Sequence, residues 1–363
     1  MSSASVAARL RAEQWNLALV VPLQGPGGVF GPSCEAMGEL AARDLNANGG
    51  VLGREVQIEV VDGGAPPHEV AERVNALITQ GRIDAVSGWH ISSVRNALAP
   101  VVAGRVPYVY PALYEGGETR RGIYCSGETP DAQIAPALRW LRDNAGIRRW
   151  FVVGDDYVWP RTSMQAVRHY IRELSLELVG SRFVNLGRGD MRSVVEQARA
   201  SSCDGVLMLL VGQDAVEFNR ACARHAEEGA FVRFSPLMEE SMLLASGAEA
   251  TRGLFVASSF FSSMVSTASM ELLGRYTKLH GPSAPPPGSV AESCYEGAQL
   301  LSQLTRRSES LTEFDTSEPI SYDSPRGTVH FASTRTVQPV HLALADGYDF
   351  DVLTTLPKAE GAL

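Results

Sequence analysis

The chain has no apolar run long enough to cross a bilayer. The stretch at 15–23 (WNLALVVPL) is too short, is broken by Asn16 and Pro22, and lacks the small-residue cleavage site of a secretory leader. As given, the chain reads as cytoplasmic; a leader upstream would make it periplasmic or extracellular. Basic residues are in deficit, with 32 Lys and Arg against 41 Asp and Glu, for a net charge of −9. A nucleic-acid partner needs a basic face, so that class is excluded. Cysteine is sparse and scattered, at Cys34, Cys125, Cys203, Cys222 and Cys294. The odd count and wide spacing give no disulfide framework and no zinc set. A reducing compartment is the simplest reading, although an exported protein stripped of its leader would look alike.

The sequence also lacks the common catalytic signatures. There is no GxxxxGK[ST], GxSxG, HExxH or kinase pattern. The glycine-rich run at 25–31 follows a strand but lacks dinucleotide-binding spacing. It reads as a ligand-facing turn or as a flexible connection. The seven histidines form no cluster, so neither a metal nor a cofactor is expected. What is present is ordinary globular composition, 45% hydrophobic and 20% charged. At 363 residues the chain is long enough for about two domains.

Short apolar runs alternate with amphipathic stretches. Strands are expected at 16–23, 55–62, 83–88 and 106–112, with helices at 34–50, 67–80 and 92–104 between them. The rhythm restarts with helices at 132–144, 160–174, 191–201 and 214–226, and strands at 148–156, 176–186, 203–212, 232–238 and 253–261. Helices at 266–281 and 290–304 and hairpin strands within 327–356 complete the chain. Two βα arrays predict two α/β lobes with mostly parallel sheets.

In such sheets ligands bind beyond the carboxyl ends of the strands. Four segments sit there. SGWHISS (87–93) offers Trp89 and His90 before the hydroxyls of Ser92 and Ser93 at a helix start, where free N–H groups favour an anionic oxygen. Plain helix capping is the alternative. YVYPALYEGGE (108–118) places Tyr110, Ala112, Leu113 and Tyr114 at a strand end, as cleft wall or as core packing. GDDYVWPR (154–161) does the same for Asp156, Tyr157 and Trp159. SPLMEES (235–241) presents Glu240, with Glu239 as alternate, to accept a hydrogen bond from a ligand nitrogen or simply to favour a helix start.

Several of these stretches carry a family resemblance. The run 20–64, with its helix end LNANGGVLGR and strand end DGG, resembles the first lobe of type I periplasmic-type binding proteins of the branched-chain amino acid and amide group. GWHISSVRNALAPVV, YPALYEGGE, GDDYVWPR and FFSS resemble its short-chain amide and urea branch, and the tail SPRGTVHFASTRTVQPVHLALADG resembles its closing strands. The resemblance covers about 16–350. It implies an α/β fold of two Rossmann-like lobes, the type I periplasmic binding protein fold, joined by a multi-strand hinge with the ligand cleft between them. Lobe 1 is expected from 14–130 plus 262–330 and lobe 2 from 131–261 plus 331–356, with 1–13 and 357–363 as flexible termini. The positions matching Ser92, Tyr110, Tyr157, Trp159 and His90 line the family's pocket. His90 stands where a Tyr is usual, and Ala112-Leu113 replace a more polar pair. That loss of a hydrogen-bond partner costs a buried polar ligand about 1–3 kcal/mol, so a ligand larger or less polar than acetamide or urea is expected.

The expected function is therefore non-catalytic closure on a small amide, urea-like or amino-acid-like ligand. Sensing for an amidase-type operon is the first reading, with a regulator protein as partner. The binding subunit of an ABC importer, with a permease as partner, is the second. An α/β enzyme is disfavoured by the missing signatures. A second copy of the chain is a further candidate partner.

Overall fold

The computed structural model describes residues 13–227, 229–308, 314, 318–332 and 335–358. Strands β1 (Gln14–Val21), β2 (Glu55–Asp62), β3 (Ala85–Ser87), β4 (Tyr108–Tyr110) and β5 (Ile123–Cys125) form a parallel sheet in the order β2-β1-β3-β4-β5. Strand β1 runs near its centre, and Leu17 to Val21 are buried on both faces, which is why they read as an unbroken apolar run. Helices α1 (Gly31–Ala47), α2 (Pro67–Thr79) and α3 (Ser92–Val102) make the connections. Met37, Leu40, Ala41 and Leu45 of α1 recur at helical spacing and are all buried. Gly50 ends that helix in a left-handed turn at φ +73°, where a Cβ would lie 2.0 Å from the Arg54 carbonyl oxygen. Only glycine fits there.

The chain then crosses to a second lobe. It contains α4 (Pro130–Ala145), β6 (Arg149–Asp155), α5 (Val158–Glu173), β7 (Glu177–Val184), α6 (Met191–Ala200), β8 (Gly205–Leu209), α7 (Gln213–His225), β9 (Val232–Ser235), α8 (Glu240–Ser246) and β10 (Leu254–Ser258). It returns through α9 (Thr267–His280) and α10 (Ser289–Arg307), which pack on α1, and through an antiparallel sheet of β11 (Ile320–Ser324), β12 (Gly327–Ala332) and β13 (Arg335–Val337). Ile320 and Phe331 share a core with Leu17, Tyr124 and Leu301, so this small sheet belongs to the first lobe. Strands β14 (His341–Asp346) and β15 (Asp349–Thr355) finally join the second sheet, whose order is β15-β14-β10-β9-β8-β6-β7. Five of its strands are parallel, and β14 and β15 are antiparallel.

The fold class thus follows the sequence pattern: two α/β lobes with largely parallel sheets. The chain passes between them in three places, at 126–129, 259–266 and 338–340. The expected division at 330/331 falls inside β12, and residues through Val337 pair with the first lobe's small sheet. Apart from residues 13, 357 and 358, the termini expected to be flexible lie outside the described residues. Three elements were not read from the sequence: β5, β11 and α8.

Candidate ligand-binding cleft

Each sheet reverses its strand order once, between β1 and β3 in the first lobe and between β6 and β8 in the second. Loops leaving such strands diverge and open a crevice. Here the two crevices face each other. Gly212, just after β8, comes so close to the other lobe that a Cβ on it would lie 2.1 Å from the Pro26 carbonyl oxygen. Pro26 opens a short 3-10 turn, Pro26–Phe30, that follows β1. The glycine-rich run therefore does lie at the lobe boundary, and the structure is closed.

His90 does not behave as a cleft residue. Its side chain is fully buried within the first lobe. The Val20 carbonyl can only accept, so Nδ1–H donates to it at 3.0 Å, and Nε2 is left to accept the Tyr108 hydroxyl at 2.5 Å. Burial, partly offset by the Val20 contact, brings its pKa down to about 4. The ring is neutral and both nitrogens are engaged inside the first lobe, so neither is free to bond a ligand. Tyr110 is likewise buried, donating its hydroxyl to the His90 carbonyl at 2.7 Å.

Ser92 caps no helix end. Its hydroxyl donates to Glu115 at 2.7 Å. The other Glu115 oxygen accepts from Arg95 at 2.7 Å, and Arg95 also approaches Glu118 at 3.2 Å. The Arg95 guanidinium lies 5.1 Å from the ring centres of both Tyr110 and Tyr114. This buried cluster was missed from sequence. Its signal was a Ser and an Arg three apart on α3, opposite the two acids of YEGGE. The neighbouring Ser93 is half-buried in the first turn of α3, and its hydroxyl makes no hydrogen bond among the described residues.

From the second lobe, Tyr157 caps the start of α5 and is half-buried, its ring 6.3 Å from that of the buried Trp159. Burial raises the Tyr157 pKa, and Asp155, Tyr110 and Glu115 add to the shift. The last two belong to the first lobe, so Tyr157 stands at the boundary. Asp155 is buried beside Asp214; its Oδ2 accepts from the Val211 amide at 2.7 Å, and Asp214 accepts from the Gly187 amide at 2.6 Å. Burial and the Asp214 charge raise the Asp155 pKa. Neither acid of this pair was singled out from the sequence.

Glu239 and Glu240 lie at the start of α8 and are 1% and 4% exposed. Glu239 Oε2 accepts from the Val290 amide at 2.9 Å, at the start of α10 in the other lobe, and its Oε1 accepts from Ser241 at 2.6 Å. Glu240 Oε1 accepts from the Ser262 amide and hydroxyl at 2.7 and 2.6 Å. Its Oε2 is buried without a hydrogen-bond partner. Burial, with the neighbouring Glu240 charge, raises Glu239 to about 7.

One space between the lobes is lined by Trp89, Leu113, Glu128, Gln133, Ser258 and Arg326, among others. It measures about 10 Å³, room for one water-sized group. The Trp89 Nε1–H has no partner among the described residues. Of the expected residues only Trp89 and Leu113 border this space, while Ala112 is buried next to them; Ser92, Tyr110 and Tyr157 do not border it. As it stands, the space is too small for a whole ligand. Among the described residues no helix is long and apolar enough to cross a membrane, and no acidic, histidine or cysteine group is arranged to hold a metal ion.

Comparison with known proteins agrees with this architecture. A family model described as periplasmic binding protein matches residues 14–344. The Leu/Ile/Val-binding protein BraC3 of Rhizobium johnstonii is 22% identical over 197 residues, 53% of each chain. The Leu/Ile/Val-binding protein of Escherichia coli K12 is 23% identical over 199 residues, 54% of each. The chain thus spans about half the length of the curated relatives it matches. Among solved structures, a solute-binding protein of an ABC transporter from Rhodopseudomonas palustris, in complex with 3,4-dihydroxybenzoic acid, superposes with TM-score 0.84 at 18% identity, covering 96% of this chain and 98% of that one. LivJ of Streptococcus pneumoniae, in complex with isoleucine, gives 0.81 at 16% identity, covering 95% and 99%. At such identities the structures establish the fold alone. The amide and urea branch is not singled out by these relatives. The family match over nearly the whole described chain, on two lobes closed at their strand ends, shows that the protein belongs to the periplasmic binding protein family.

Proposed function

We propose that the chain is the solute-binding subunit of an ABC importer, working in the periplasm, and that its solute is a small amino acid with an apolar side chain. The observation that carries this reading is Glu240. One of its oxygens is satisfied by Ser262, and the other is buried without a partner at the border of the lobes. A buried carboxylate oxygen calls for a charged donor. The ammonium of an amino acid supplies one. At the other end, the free Ser93 hydroxyl and the unpaired amides at the start of α3 suit the ligand carboxylate. Leu113 and the Trp89 ring, which border the space between the lobes, offer an apolar wall. The Leu/Ile/Val-binding names of the curated relatives support the same class. The sensor reading that the motifs suggested has no support in the relatives named above.

Binding proceeds by docking on one lobe and closure of the other, which excludes water and strengthens both charge contacts. No bond of the solute changes. Titration calorimetry with L-leucine, L-isoleucine, L-alanine, benzoate, acetamide and urea tests the reading. An aliphatic amino acid is expected to bind best, with Glu240→Gln weakening it about tenfold or more. Acetamide or benzoate binding tighter than every amino acid, unaffected by Glu240→Gln, overturns it.

A further inference from the structure

The Glu239–Glu240 pair holds an unusual position for two acids. Closure buries both between the second lobe, the hinge crossing at 259–266 and the start of α10 in the first lobe. Gly288, which caps α10, is wedged against them, and a Cβ there would lie 2.5 Å from Glu239 Oε2 and 2.7 Å from Glu240 Oε2. The two oxygens therefore converge on one spot. Neither acid makes an ion pair among the described residues. The groups acting on them are the α10 amides of Val290 and Ala291, the hydroxyls of Ser241 and Ser262, and Asp349 on β15. The Cys34 thiol of α1, itself paired with Cys294, and Tyr276 of α9 also lie within electrostatic reach of Glu239. None of these is a cation. The helix start and the hydroxyls favour one negative charge; a second, in the same dry contact, has nothing to balance it. Parting the lobes at the Gly288 and Val290 contact is the step that would return the acids to water and relieve the conflict.

We propose that this pair is a proton-operated latch: without solute the lobes close by taking up one proton on Glu239–Glu240, and the cationic group of a solute stands in for that proton. The proposal rests on the reading of the lobes as moving halves and adds the regulation of that same site. It carries two consequences of opposite sign. The solute-free closed population rises as pH falls. Affinity for an ammonium-bearing solute falls as pH falls, because proton and ammonium compete, whereas a solute without a cation binds more tightly.

The test uses the intact chain, spin-labelled at Glu69→Cys on α2 and Arg192→Cys on α6. All five native cysteines are buried and spared. Electron–electron distance measurements are made without solute at pH 5.5, 7 and 8.5. One proton per closure gives a closed-to-open ratio that grows by up to about tenfold per pH unit on the acid side of neutrality. Glu239→Gln and, as a second variant, Glu240→Gln are each expected to abolish this dependence, with circular dichroism confirming the fold. A ratio independent of pH overturns the latch. So does a dependence that survives in both variants, which would place the proton on Asp155–Asp214. A single distance at every pH and with every amino acid added means that the lobes do not move, and the functional reading fails instead.

Discussion

At the level of single residues, two of the buried titratable groups act on stability in opposite directions. His90 is held at about 4, below its ordinary value, so folding favours its neutral form. Its contribution, about 3 kcal/mol, is complete above pH 6.5 and is lost as pH falls through 4. Glu239 is held at about 7, above its ordinary value, so folding favours its protonated form. That contribution is greatest in acid and is lost as pH rises through 7. Urea unfolding is expected to give greater stability at pH 5.5 than at pH 8, with the difference reduced in Glu239→Gln. Tyr108→Phe strips His90 Nε2 of its only donor and leaves a buried lone pair. It should lower stability at pH 7 by about 1–3 kcal/mol; an unchanged urea midpoint would mean that the pairing contributes nothing. None of this was legible in the sequence. SGWH identified a histidine at a strand end, but its partners come from Val20 and Tyr108, on β1 and β4. Only assembly of the sheet reveals that the ring is turned inward.

At the level of elements, the loops after the switch-point strands decide whether the lobes can meet. Gly212 takes φ +50° and touches the Pro26 backbone. Gly212→Ala puts a methyl group into a carbonyl that cannot move aside, so closure should be blocked while each lobe keeps its own fold. Solute affinity is expected to fall at least tenfold with little change in circular dichroism; unchanged affinity would show that this approach is not needed for binding. The long periodic elements were readable because burial imposes their pattern. Strand β2 matches its expected bounds, and α1 is offset by only a few residues. The missed elements are short. Strand β5 has three residues and draws its definition from pairing with β4, and α8 is a seven-residue helix whose first residue, Glu240, had been read as a strand-end acid facing a ligand or as an acid favouring a helix start. Glu240 emerged as a site candidate because its acid pair follows a strand, whereas Ser92 did not keep its expected role because Glu115 takes its hydroxyl.

At the level of the whole molecule, the three crossings are tied together by buried polar contacts. Glu128 on the first accepts from the Ser259 amide on the second at 3.0 Å. Gln338 on the third donates to the Ser126 carbonyl on the first at 3.4 Å. Arg326 links this set to α10, donating to Glu292 at 2.5 Å and to Gln338 at 3.3 Å. Arg326→Met leaves Glu292 buried without its cation and is expected to cost about 3–5 kcal/mol, read as a lowered unfolding midpoint; a neutral result would show that Glu292 is protonated and needs no partner. On the proposed reading, the crossings bound in this way would serve as the hinge about which the lobes rotate. The most direct measurement is the distance between labels at Glu69→Cys and Arg192→Cys at pH 8, before and after saturating L-leucine, with the solute then recovered and identified. The expected result is a shift from a long to a short distance with the leucine recovered unchanged. Tight binding with no change in distance, or a chemically altered solute, would contradict closure of the two lobes on an intact guest.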